Sequence, residues 1–135
     1  EQAAPTGNRA ATPGSAPPAQ RAQAVRSVTA ALADGPRVAI ETPKLRGSIN
    51  LTGARIDDLV LLNYRQTVDR DSPPVRLFAP AGTRDYYFAG TGWSGAGLNA
   101  PTADTVWTAP EGARLTPTTP VTLTHDNGQG QIFEL

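Results

Sequence analysis

Thirteen glycines and thirteen prolines punctuate this 135-residue chain, roughly a fifth of its positions. Each proline removes a backbone donor and fixes φ, and each glycine adds conformational freedom that folding must remove. A long helix cannot run through such spacing, so coiled coils and helical bundles are excluded. The fold has to be built from short elements joined by turns. The apolar share of 39% against 18% charged residues supports a packed core, so the whole chain does not read as disordered.

The breakers fall into two populations that meet near residue 36. Up to Pro36 there are eleven alanines, five prolines, three glycines and no aromatic residue. Residues 1–18 (EQAAPTGNRAATPGSAPP) show no periodicity and read as a solvated linker. From Ala19 onward Val25, Val28 and Leu32 recur at i, i+3 and i+7, and Asp34-Gly35-Pro36 supplies a stop. This spacing predicts one short amphipathic helix over about 20–33, within a tether that is otherwise disordered. Residues 1–36 are therefore expected to be the tether and 37–135 the domain.

From Arg37 onward the 99 residues hold twenty Val, Ile and Leu and all eight aromatics, in short bursts separated by turn chemistry. That is the pattern of an all-β sandwich or barrel. Strands are expected at Arg37–Thr42, Leu45–Leu51, Ala54–Tyr64, Val75–Ala79, Asp85–Ala89, Thr105–Trp107, Val121–His125 and Gln131–Leu135. Leu51-Thr52-Gly53 should close one hairpin. Asp126-Asn127-Gly128 should close another, Asn-Gly being a strong short-range hairpin signal. The chain opens on Glu1, contains no Met and stops inside the apolar run QIFEL, so it is expected to be a piece of a longer polypeptide.

Little in the chain spells chemistry. Twelve basic residues balance twelve acidic ones, which argues against a partner held through phosphates, nucleic acid included, and against a polybasic membrane contact. With no Cys there is no disulfide frame, thiolate metal site or thiol nucleophile. Gly90–Gly95 (GTGWSG) matches the GxGxxG dinucleotide fingerprint, but the residues that follow are loop, whereas the pyrophosphate needs a helix N-terminus. Ser94, between Gly92 and Ala96, lacks the second glycine and the helix of a nucleophile elbow. His125 is the only histidine and sits beside Asp126 at a hairpin mouth, where an exposed polar role is favoured over a triad. Asp57 and Asp58 should point to opposite faces of a strand and so could not act together. Asp69 and Asp71 lie in the turn VDRDSPP without the glycine and distal Glu of a calcium loop. No catalytic, cofactor or metal site is expected. The candidates for a partner or ligand surface are the large aromatics Tyr86, Tyr87, Trp93 and Trp107, with one of the two tyrosines facing the core.

The string TPKLRGSINLTGARIDDLVLLNYRQTV (42–68) resembles the large periplasmic domain of the bacterial membrane-protein insertase YidC, in its alphaproteobacterial form. The likeness continues in SPPVRLFAPAG (72–82), DYYFAGTGW (85–93), ADTVWTAP (103–110) and PVTLTHDNGQGQIFEL (120–135), covering about residues 37–135 in unbroken order. The insert AGTGWSGAG after Phe88 is less typical. The resemblance implies a β-sandwich that is part of a galactose-mutarotase-like supersandwich, lying between the first and second membrane helices. It implies a non-enzymatic role, without cofactor, on the periplasmic side of the inner membrane. Implied partners are the Sec translocon, its SecD/SecF accessory proteins, and nascent membrane proteins received by a groove outside this chain. The rival reading is a carbohydrate-binding or mutarotase-like envelope protein using Trp93 or Trp107. A mutarotase needs clustered His and carboxylates for acid–base exchange, and one His supports that poorly.

Overall fold

The computed structural model describes residues 24–135. Its only helix among them is α1, Val28–Leu32, a single turn. Ser27 caps it: the hydroxyl accepts from the Ala30 amide at 3.2 Å while Ser27 itself stays extended. The expected helix over 20–33 is therefore cut short. Residues 20–23 lie outside the described residues, and 24–27 are non-helical because the Arg26 amide bonds the Gly82 carbonyl instead, at 2.9 Å. Val25 is 70% exposed, so the anticipated Val25–Val28–Leu32 stripe does not form; Ala31 is the residue α1 buries. The Arg26 guanidinium reaches along α1 to Asp34. Its hydrogen bond holds the Asp34 carboxyl below the usual carboxylate value, outweighing an opposing desolvation, and the charges of Arg26 and Arg37 add smaller contributions in the same downward direction.

Four antiparallel strands follow in meander order: β1 (Arg37–Glu41), β2 (Leu45–Asn50), β3 (Arg55–Arg65) and β4 (Pro74–Phe78). All four match the expected spans within a residue or two. Cross-strand partners share a face, and the register pairs Val38 with Ile49 and Ile40 with Gly47 opposite Leu59. One face is therefore apolar. The other carries Ser48 opposite Asp58, and Arg76 opposite Val60. A fifth strand that sequence periodicity does not reveal, β5 (Arg114–Leu115), joins β1 in parallel. Two residues are too few to show alternation.

The second layer is the hairpin β6 (Thr124–Asp126) and β7 (Ile132–Glu134), prolonged by reciprocal amide–carbonyl bonds between Leu123 and Leu135 at 2.9 Å. Its loop is longer than an Asn-Gly turn. The Asn127 side chain closes it, Oδ1 accepting from the Gln129 and Gln131 amides, with Gly128 at φ 73°. Segments 85–89 and 105–107, expected as strands, make only single bridges, such as Ala79–Tyr87, Ile56–Ala89 and Thr52–Val106. Between the layers sit Val38, Leu51, Ala54, Trp107, Leu123 and Phe133, with Ile49 packed against them. The described chain is an all-β sandwich.

Candidate functional site

The four aromatics do not form one surface. Trp107 is 3% exposed and belongs to the core. Its amide bonds the Leu51 carbonyl at 2.9 Å, which turns the indole inward between the layers. The expectation that it could present itself to a partner is corrected: it is a packing residue. Trp93 stacks on it at 6.4 Å and meets the edge of Phe133 at 5.4 Å, remaining 37% exposed. Tyr86 and Tyr87 are 56% and 65% exposed, so neither faces the core. The inward-outward rule presumes a strand between two layers, and this segment makes only single bridges at the rim. Tyr87 leans on Phe78 at 5.7 Å and Tyr86 stacks on Phe88 at 6.4 Å. The aromatic surface is thus Tyr86, Tyr87 and the outer part of Trp93.

The second feature is a buried ion network that strand alternation misplaces. The β2–β3 register shifts between Ser48, which opposes Asp58, and Ile49, which opposes Ile56. Asp57 is the extra residue of a β-bulge. The bulge turns both carboxylates to the polar face, contrary to the expectation that Asp57 and Asp58 point apart. Arg37 donates to Asp57 Oδ1 at 2.6 Å and to Ser48 Oγ at 3.1 Å; Ser48 in turn donates to Asp58 Oδ2 at 2.9 Å. Arg76 donates to Asp58 Oδ1, and Asn50 donates to Asp57 Oδ2 at 3.3 Å. Two cations and two anions are brought together, and each carboxylate oxygen accepts at least one hydrogen bond. Such a network positions strands, its carboxylates committed to arginine.

Residues Arg37, Ser48, Asn50 and Arg76 are not singled out by any motif. A signal was nevertheless present, because an isolated glycine inside a strand pattern marks a bulge or close backbone approach. Gly47 is that glycine: a Cβ there would stand 1.9 Å from the Asp58 carbonyl oxygen. Gly47→Ala is expected to force the bulge apart and cost about 3 kcal/mol, seen as a lowered denaturant midpoint with unchanged far-ultraviolet dichroism of the residual folded form.

The remaining motifs resolve as structure. Gly90–Gly95 is an open loop with no helix after it, which removes the geometry a pyrophosphate requires. The His125 ring packs beside Trp107 at 5.9 Å and Phe133 at 6.3 Å, while Asp126 accepts from the Gly128 amide. Asp69 is engaged in its own turn with Thr67 and Ser72. Among the described residues no group of three His, Asp or Glu is placed to hold a metal ion, and no helix is long and apolar enough to cross a membrane. An apolar cavity of about 300 Å³ opens between the layers, lined by Ile49, Ile56, Val121, Leu123 and Leu135.

Comparison with known proteins adds the family. A family model described as the YidC periplasmic domain matches residues 37–135. The chain is 58% identical over 105 residues to the membrane protein insertase YidC of Caulobacter sp. (strain K31), covering 76% of this chain and 17% of that protein. It is 52% identical over 118 residues to the insertase of Rhizobium etli (strain CIAT 652), covering 86% of this chain and 20% of that protein. For Bradyrhizobium diazoefficiens the identity is 46% over 132 residues, 96% of this chain and 21% of the relative. The chain spans about a fifth of the length of these relatives. With the family model matched from the first residue of β1 to the last residue of the chain, this protein belongs to the YidC periplasmic domain family.

Proposed function

We propose that this chain is the periplasmic portion of a membrane-anchored insertase and chaperone that helps insert and fold inner-membrane proteins, alone or beside the Sec translocon. The observation that carries this reading is the family match over 37–135 together with relatives named membrane protein insertase. Residues 1–36 act as the tether and 37–135 as the domain. The role is non-enzymatic and needs no cofactor: Asp57 and Asp58 are held by Arg37 and Arg76, and His125 is packed among aromatics. The partners are SecD and SecF, met through the exposed rings of Tyr86 and Tyr87 and the outer part of Trp93, since half-exposed aromatics bury much area at little entropic cost. Nascent membrane proteins are handled by parts of the polypeptide outside this chain.

Two experiments separate the parts of this reading. The full-length gene should restore insertion of a small inner-membrane protein in cells depleted of their own insertase; failure would remove the insertase function itself. Separately, a photo-crosslinking phenylalanine at Tyr87 of the full-length protein should capture SecD or SecF in cells. The same probe at Val68, fully exposed in the β3–β4 turn, should not. Equal capture at both positions would remove the aromatic rim from the partner surface while leaving the insertase role standing.

A further inference from the structure

We propose that Arg55 anchors a binding site for a small oxyanion, in a cavity that no part of the proposed insertase role uses. Arg55 opens β3 and is half-buried. Its Nε is buried without a hydrogen-bond partner, and it takes part in none of the four ion pairs among the described residues. The other partly buried arginines behave differently. Arg37 also has an unpartnered Nε, yet its terminal nitrogens hold Asp57 and Ser48, and Arg76 holds Asp58. A guanidinium carries five donors and stays charged at any physiological pH, so leaving one partly dehydrated without an anion is costly.

The surroundings say what kind of group completes it. Arg55 lines a cavity of about 450 Å³ together with Phe88, Thr91, Gly92, Trp93 and Thr102. It is the only charged residue in that lining, and no carboxylate is among the others. The guanidinium lies over the Phe88 ring, 5.5 Å from its centroid, which orients the planar fork and shields one face from water. The Gly90, Thr91 and Gly92 amides make no hydrogen bond to other described backbone. Arg55 also lines a neighbouring cavity of about 300 Å³. The acids there, Asp34 and Asp57, are already taken by Arg26 and Arg37. No anion among the described residues pairs with it.

A planar fork matches a carboxylate or a phosphate in two-point contact. The flat walls of Phe88 and Trp93 suit an anion carried on a ring. The site would take a small carboxylate- or phosphate-bearing molecule, and the aromatic wall makes a ring carboxylate the better fit.

The test is equilibrium dialysis of the full-length protein in detergent at low ionic strength, against radiolabelled benzoate and, separately, inorganic phosphate, with protein-free micelles as blank. At least one of the two should saturate a single site, the tighter one naming the chemistry. Arg55→Gln should weaken that binding by about tenfold or more, since a charge-assisted two-point contact is lost. Arg70→Gln, which removes a charge from the exposed β3–β4 turn, should leave it unchanged. Circular dichroism checks the fold of each variant. Should Arg55→Gln fail to fold, Arg55→Lys decides, keeping the charge but losing the fork: weaker binding than in Arg70→Gln supports the site. Saturation by neither anion, or equal affinity in the Arg55 and Arg70 variants, overturns it.

Discussion

Replacing Arg37 by Met should destabilise the chain by about 3–5 kcal/mol. The side chains of Arg37 and Asp57 are only 11% and 6% exposed, and they meet at 2.6 Å. Their mutual attraction offsets the loss of hydration only while both are present. Removing the guanidinium strands the Asp57 carboxylate behind the bulge with a single remaining donor, Asn50, and it also removes a donor to Ser48. The comparison that tests the cause is the double variant Arg37→Met/Asp57→Asn, which removes both charges. It should recover at least half of the loss, because the penalty lies in an uncompensated buried charge more than in the absent attraction. Denaturant unfolding of the two single variants and the double gives the coupling directly. A loss below about 1 kcal/mol for Arg37→Met would show that water reaches the network and that it does not hold the bulge.

Trp107→Ala should cost a similar amount, about 3–5 kcal/mol, through the cavity it leaves. The indole lies between the layers among Val38, Leu51, Leu123 and Phe133. It also supports Trp93 and His125, whose rings rest against it at 6.4 and 5.9 Å. The expected signature is twofold: a lowered midpoint, and a red-shifted Trp93 emission as its stacking partner disappears. Trp107→Phe keeps most of the packing and should cost about 1–2 kcal/mol. An unshifted midpoint in Trp107→Ala would mean that the second layer is held by its backbone bridges alone.

The two predictions concern different faces of one sheet. One face of the sheet is held by ions and the other by aromatics. Tyr86 and Tyr87 remain exposed outside both.

The sequence by itself determined the class of fold, because the physics behind it is local. Glycine and proline spacing forbids long helices, and alternation over five to eleven residues is enough to draw β1 to β4. The string GSINLTGARIDDL likewise carried the family likeness, through the identity of residues and not their positions in space. Tertiary structure alone decided which of these residues face each other. The bulge at Asp57 is a property of two strands in register, so period-two counting put Asp57 and Asp58 on opposite faces where the fold puts them on one. The length of α1 was settled by a bond between Arg26 and Gly82, residues far apart in the chain. β5 is two residues long and exists only because β1 is beside it. The aromatics were legible as important, but burial separates Trp107 from Tyr86 and Tyr87, and burial is a count of neighbours that no linear pattern contains. Arg55 shows the same limit: one arginine among eleven in the sequence, set apart only by having no ion-pair partner among the described residues of the fold.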